Sequence, residues 1–476
     1  MASARGIYVG GAFVAGGGHD AEVRSPFDAR PVAQVGQASW EQIDRALALA
    51  VASGAELAGQ SAARRRGLCQ AISAGIEAQA EELAQAICAE AGKPIDAARV
   101  EVRRAAITFS LAAGEVAYFG GANLPGDLDE QAHGTRILTQ RRPVGPVVGI
   151  SPFNFPLNLA AHKIAPALAV GAPLVLKPPP QAPSAALILA EIVQRAGAHP
   201  AALAVLPCDN ALAEKLALDG RVRLLSFTGS ARVGWALKQK VGPAVRVLLE
   251  LGGNAGVIVA EDADLAWAID RCAIGAFVYS GQLCISVQRI LVHESLYARF
   301  LEGLIARARA YAPGDPAASG TVVGPLIDEA AAIRIADWLR EARDQGAVIE
   351  CGGERRGALL SPAVVTHAPA TAKICREEVF GPVVVVAPYQ DFEQALASLD
   401  DSTFGLQAGL FTYDLRRIRR AFDRLDVGGL IVNDAPTFRA DHMPYGGAKA
   451  SGLGREGVRY AMEAMTEWKT LVIANH

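Results

Sequence analysis

The 476-residue chain is 51% hydrophobic and 20% charged, too apolar for a disordered protein and too long for one small core. Its length suggests two or three domains. A net charge of −3 with no basic stripe argues against nucleic acid, and no Lys/Arg-rich amphipathic helix marks a membrane surface. The seven cysteines are odd in number and form no CxxC pair. That pattern predicts reduced thiols in a cytoplasm rather than a disulfide framework or a zinc site, so no metal is expected.

The opening "MASARGIYVGGAFVAGGGHD" holds no sustained apolar core, so a secretory signal is not expected. Segments 40–59 and 61–91 read as helices, with Ser61 able to cap the second and Gly92, before Lys93-Pro94, able to end it. A third helix is expected over 95–119. "FGGANLPGD" then breaks helicity, and "TRILTQRRP" reads as an extended segment with alternating outward charge. A polar two-sided strand suits an arm or an intersubunit contact better than a core. The arginine clusters at 64–66 and 416–420 sit among helix formers and read as solvated faces or subunit contacts.

From Gly145 short apolar runs alternate with helical stretches. Strands are expected at 146–150, 173–177, 202–206, 223–227 and 247–251, with helices at 158–170, 184–197, 210–218 and 230–241. The pattern predicts parallel βαβ units in a doubly wound sheet. The most apolar stretch, 157–176, contains Asn158, His162, Lys163, Pro166 and Pro173, and reads as helix, turn and strand rather than a membrane span. A second α/β pattern follows: strands near 256–260, 289–293, 382–388 and 428–434, with helices near 264–280 and 295–310.

Ligands of doubly wound sheets bind beyond the carboxyl ends of the strands, which singles out Asn154, Lys177, "TGS" at 228–230 and Glu250 before "GGN". No GxGxxG opens the first helix, so the usual dinucleotide fingerprint is absent. Gly229 and Ser230 open a helix whose amides attract a pyrophosphate, although most such turns are only turns. Lys177 can donate to ribose hydroxyls or simply snorkel. Asn154 can donate to an oxyanion or close an Asx turn. Glu250 can be a general base or a capping carboxylate. Cys284, after Gly-Gln-Leu, can be a nucleophile, but a lone cysteine is more often an inert buried thiol.

Taken together, these positions change the reading. Asn154, Lys177, Gly229-Ser230, Glu250, Cys284 and "EEVFGP" at 377–382 follow an order that resembles the aldehyde dehydrogenase superfamily. "PFNFP", "LKPPP", "FTGS", "ELGGN", "GQLC" and "PYGGAKASGLGREG" fall in that family's order across nearly the whole chain.

The resemblance implies an α/β fold of two doubly wound domains with a β-strand oligomerisation arm. Residues 1–120 and 142–252 would form the dinucleotide-binding domain, 253–452 the catalytic domain, and 121–141 with 466–476 the arm of a homodimer or homotetramer. It also implies that Cys284 attacks the aldehyde and that Asn154 and the Cys284 N–H hold the oxyanion. Glu250 would activate water against the thioester, and Glu456 would be a second carboxylate assisting proton transfer. NAD or NADP would be held by Lys177, Ser230, Glu378 and Phe380, with Ser151, Pro152, Phe153, Pro180, Gly229 and Leu251 completing the contacts. Pro180 stands where NAD-preferring members carry a ribose-binding Glu, so neither cofactor is selected.

The similarity is nearest to the branch of lactaldehyde and non-phosphorylating glyceraldehyde-3-phosphate dehydrogenases. Arg104 and Arg439 match two phosphate-gripping arginines of the latter, while Phe155 and Leu283 replace a tyrosine and a third arginine. The clamp is therefore half missing. A small hydroxylated or singly anionic aldehyde, lactaldehyde or a semialdehyde, is expected, with Arg439 as its anchor; for both arginines, structural pairing is the alternative. The rival readings are a phosphorylated substrate, a CoA-acylating semialdehyde dehydrogenase (whose members commonly lack the Glu250 carboxylate), a thiol hydrolase on an unrelated sheet, and a non-catalytic oligomer.

Overall fold

A computed structural model describes residues 5–474. Eight strands form the first sheet, in the order Ala12–Val14, Ile7–Val9, Leu203–Val205, Leu174–Lys177, Val147–Ile150, Leu224–Thr228, Arg246–Glu250 and Gly452–Leu453. The middle five run parallel. The apolar runs predicted from the alternation are buried on both faces, as a sheet covered by helices requires. Chain order reverses at Val147–Ile150, which pairs with Leu174–Lys177 on one side and Leu224–Thr228 on the other. The register sets Ile150 beside Lys177 and Phe227, and Thr228 beside Glu250. Four strand ends therefore finish level around the switch point, where a crevice opens.

Seven strands form the second sheet, in the order Val348–Cys351, Ala363–Thr366, Val383–Tyr389, Val287–His293, Ala255–Val259, Gln407–Phe411 and Gly429–Val432; only Val348–Cys351 is antiparallel. Residues 251–254 join the end of Arg246–Glu250 directly to the start of Ala255–Val259. The carboxyl edge of the first sheet is thus tied to the amino edge of the second. Cys284 just precedes Val287–His293, and Glu378 and Phe380 just precede Val383–Tyr389, so all three arise at that second edge.

A separate three-stranded piece pairs Thr466–Ile473 with Arg136–Pro143 along its length, with Asn123–Leu124 outside it. Residues alternate between exposed and half-buried along Arg136–Pro143, as the polar alternation predicted. Residues 475–476 of the expected arm lie outside the described residues.

The helical expectations differ from the structure at their ends. The 61–91 segment is two helices, Ala62–Ala78 and Ala80–Ala91, broken at Gln79; the Ser61 hydroxyl accepts from the Arg64 N–H and the second helix stops at Gly92 in the left-handed conformation. The 40–59 segment breaks at Ser53. The third helix ends at Val116, and Leu265–Phe277 stops short of 280 because Tyr279 and Ser280 turn left-handed. Strands Ile7–Val9, Ala12–Val14, Ala363–Thr366 and Gln407–Phe411 and helix Glu329–Asp344 were not expected. Gly452–Leu453 pairs with the first sheet, and helix Val458–Ala464 puts Val458 and Met462 into that sheet's core. No helix among the described residues is long and apolar enough to cross a membrane.

Candidate active site

A cavity of about 640 Å³ lies between the two facing edges, and every residue singled out above for chemistry or binding lines it. Cys284 is delivered by an unusual piece of backbone. Tyr279 (φ 51°), Ser280 (φ 56°) and Gly281 (φ 67°) are left-handed in succession. For the two non-glycine residues such backbone costs on the order of 1 kcal/mol or more each, so surrounding bonds must hold it. They do: the Tyr279 hydroxyl donates to Ala91 O at 3.0 Å and the Ser280 hydroxyl to Gly324 O at 2.6 Å. The Gln282 side chain donates to Pro325 O at 3.3 Å and accepts from the Ile327 N–H at 2.8 Å.

Asn154 is tied to the same loop. Its Nδ2 donates to Gln282 O at 2.8 Å. A side-chain amide carries two N–H groups, so one anchors Asn154 beside the cysteine and the second stays available. Burial pushes the Cys284 thiol up to about 12, against a hydrogen bond with Tyr445 that lowers it.

Glu250 is buried at the end of its strand, and its Oε2 has no hydrogen-bond partner. Burial, then the nearby Glu456 charge, hold its carboxyl well above the usual range. Glu456 goes the other way. Burial raises it, but Lys163 and Arg439 overcome that and hold it at about 2. Lys163 donates to Glu456 at 3.0 Å, Thr228 at 2.7 Å and Ser226 at 3.2 Å, and Arg439 to Glu456 at 3.2 Å. Two buried carboxylates thus have opposite protonation tendencies, the arrangement from which acid and base roles are built.

At the far end of the cavity, Ser151, Pro152 and Phe153 follow one strand, Lys177 and Pro180 the next, Gly229 and Ser230 the third and Leu251 the fourth. Ser151 Oγ is buried without a partner. Lys177 is 4% exposed, and burial lowers its pKa. From the opposite edge, Phe380 packs edge-on against Phe153 at 5.9 Å. Glu378 accepts the Gly253 N–H at 3.0 Å, and burial pushes its carboxyl up to about 7.

Arg104, Phe155 and Leu283 stand between this cavity and a second of about 400 Å³. Both arginines are paired. Asp441 takes Arg104 Nε at 3.1 Å and Nη2 at 2.7 Å, and also receives Asn158 at 3.3 Å and His162 at 3.0 Å. Arg439 pairs with Glu456 and stacks 3.7 Å over the Tyr445 ring, leaving Nε buried without a partner. Phe155 carries the Lys93 ammonium over its ring at 3.4 Å, and Lys93 is paired with buried Glu101 at 2.5 Å.

Sequence reasoning missed Tyr445, Lys163, Asp441 and Gly253. The available signal for Lys163 was a charge in an otherwise apolar helix, which is tolerated only with partners. Tyr445 sat in the open within "PYGG".

Comparison with known proteins gives the same family that the motifs suggest. The aldehyde dehydrogenase family description matches residues 13–471. The 3-sulfolactaldehyde dehydrogenase of Priestia aryabhattai is 40% identical over 95% of this chain and 94% of that enzyme. Aldehyde dehydrogenase 21 of Physcomitrella patens, solved with the reaction product succinate, superposes with a TM-score of 0.97 at 41% identity, covering 100% of this chain and 99% of that one. The glyceraldehyde-3-phosphate dehydrogenase GapN of Methanocaldococcus jannaschii, solved with NADP, has a TM-score of 0.92 at 35% identity over 96% of this chain and 100% of that one. With its motifs, both sheets and the cavity between them in place, the chain belongs to the aldehyde dehydrogenase family.

Proposed function

We propose that this aldehyde dehydrogenase oxidises a small hydroxylated or anionic aldehyde to its carboxylate through a thioester on Cys284. The observation that carries the reading is the meeting of Cys284, Asn154 and Glu250 in one cavity whose two walls come from different sheets. Cys284 attacks the carbonyl carbon as thiolate. The free N–H of Asn154 and the Cys284 backbone N–H hold the developing oxyanion; one such donor contributes roughly 3–4 kcal/mol. Glu250 then takes a proton from the water that cleaves the thioester, and burial, which raises its carboxyl, makes it a stronger base than a free carboxylate. Glu456, kept ionised by Lys163 and Arg439, assists proton movement.

The far end of the cavity fits a dinucleotide. The orphaned Ser151 hydroxyl needs a partner. A side chain at Gly229 would stand 2.7 Å from the Phe227 ring, so the backbone there stays bare for close approach. NAD or NADP, when bound, supplies the hydride acceptor. Lys177 and Glu378 would hold the two riboses, and Ser230 with Gly229 the pyrophosphate; Ser151, Pro152, Phe153, Pro180, Leu251 and Phe380 line the remainder. GapN was solved with NADP, and Pro180 carries no charge that selects between NAD and NADP.

Two of the relatives named above act on sulfolactaldehyde or yield succinate, and the third is named for glyceraldehyde 3-phosphate, all anionic. That supports a negatively charged tail lying toward Arg104 and Arg439. Phe155 and Leu283 supply no further charge, which disfavours a phosphate, and Glu250 favours water over CoA as the acyl acceptor. The residue ranges given for the two domains and the arm carry over as proposals, except that 452–465, whose strand and helix pack on the first sheet, go with the first domain. Exposed Trp468, Leu471 and Val472 on the outer strand support a dimer or tetramer, and seven free cysteines support a reducing cytoplasm. An aldehyde panel run with NAD and with NADP, following the reduced cofactor, tests the reading. Turnover greatest with small anionic aldehydes supports it; turnover confined to long neutral or aromatic aldehydes contradicts it.

A further inference from the structure

The Tyr445 hydroxyl stands 3.0 Å from the Cys284 sulfur, its one hydrogen-bond partner among the described residues. The tyrosine is 3% exposed. It is also rigidly placed. The Tyr445 N–H donates to Glu456 O at 3.0 Å and the Glu456 N–H returns to Tyr445 O at 2.6 Å. On its other side the Arg439 guanidinium lies 3.7 Å from the ring centroid. A buried hydroxyl with a single partner is there for that partner, and a cation over the ring withdraws electron density from the phenol and makes it a stronger donor.

We propose that Tyr445 is a catalytic residue that donates its O–H to the Cys284 thiolate, with Arg439 stacked behind it to strengthen the bond. The proposal rests on Cys284 being the nucleophile. In the neutral thiol the bond can run either way; once the sulfur is ionised it can only accept, and Tyr445 keeps its own proton throughout. Burial supports this division, since it pushes the phenol up and keeps it a donor. A hydrogen bond to a charged acceptor is worth about one pH unit or more of thiolate stabilisation. Stabilising a thiolate also blunts it. With a Brønsted slope near 0.45, one unit gives about ten times more thiolate, each about threefold less reactive, a net gain of about threefold while thiolate is scarce.

The test is alkylation of the full-length protein by iodoacetamide, followed by mass spectrometry of the peptide bearing Cys284. Neither aldehyde nor cofactor is present, so the outcome is independent of the proposed oxidation: turnover surviving in Cys284→Ala would remove that reading without touching this measurement. Tyr445→Phe keeps the ring and the stacking and removes only the hydroxyl. Alkylation is expected to slow about threefold throughout the range in which thiolate is scarce, about pH 8 included. Loosened packing would expose the sulfur and speed the reaction, so the direction separates a catalytic from a merely structural role. Arg439→Gln, which leaves the hydroxyl in place, is expected to slow alkylation by a smaller factor. Rates equal to or faster than wild type in Tyr445→Phe overturn the proposal. Should that variant not fold, the same result in Arg439→Gln overturns it.

Discussion

Gly253 lies directly against the main-chain oxygen of Cys284: a Cβ built on the glycine would sit inside van der Waals contact with that carbonyl. The glycine follows the strand of the first sheet that ends at Glu250, and the cysteine precedes a strand of the second. This backbone-on-backbone contact sets the gap between Cys284 and Glu250, the proposed nucleophile and base, and no side chain can rotate away to relieve a clash. Gly253→Ala is expected to push the cysteine loop off its position and lower kcat by about 100-fold, as misplacement by about 1 Å does. Because the Gly253 N–H also bonds Glu378, the KM for cofactor should rise as well. Steady-state kinetics on protein of unchanged quaternary structure check both.

Asn154 serves the loop with one N–H and the proposed oxyanion with the other. Asn154→Ala removes both and is expected to lower kcat by about 10²–10³ with little change in KM, since the oxyanion develops only in the transition state. A change confined to KM would instead make Asn154 a substrate-binding residue.

Arg104 and Arg439, at the proposed tail end, are each held by a carboxylate, so their charge is partly spent. Arg104→Leu is expected to raise KM for anionic aldehydes about tenfold and leave neutral aldehydes nearly unchanged. It should also cost about 1–3 kcal/mol of stability, because Asp441 remains buried with one cationic partner fewer. Urea unfolding measures the second effect, and equal KM changes for charged and neutral aldehydes would remove the anchor role.

Glu90 supplies a pH test away from the cavity. It is 3% exposed, accepts the Ser184 N–H at 3.0 Å, and burial pushes its carboxyl up to about 7 from 4.5. The folded chain therefore holds a proton that the unfolded chain has lost between those values. Stability from this group is full below about pH 4.5 and declines as pH rises through about 7. Glu90→Gln keeps the acceptor and removes the titration. It should stabilise the protein at pH 8 by roughly 1–3 kcal/mol and have little effect near pH 4.5. Thermal midpoints across that range decide it.

Much of the architecture was legible because buried parallel strands read as short β-branched runs between helical stretches. The five central strands of the first sheet lie within a residue or so of their predicted ends. What escaped was held by distant contacts. Ile7–Val9 pairs with Leu203–Val205 through Tyr8 and Val205, and Gly452–Leu453 with Arg246–Glu250, neither of which has a local pattern. Cys284, Glu250 and Asn154 stand out in the sequence because each sits on a motif, and the structure brings all three into one cavity. The partners that tune those groups do not stand out. Lys163 lies in a helix buried along its whole length, Asp441 in a loop far along the chain from Arg104, and each acquires meaning only through packing.

The measurement closest to the central claim is mass spectrometry of Glu250→Gln mixed rapidly with aldehyde and cofactor, then quenched. Without the base, hydride transfer should proceed and hydrolysis should stall. Reduced cofactor is expected in a burst approaching one per active site, followed by a rate lower by about 10²–10⁴. The peptide bearing Cys284 should be heavier by the aldehyde less two hydrogen atoms, the signature of an acyl thioester. An unmodified Cys284 in an enzyme that still reduces its cofactor would contradict the account.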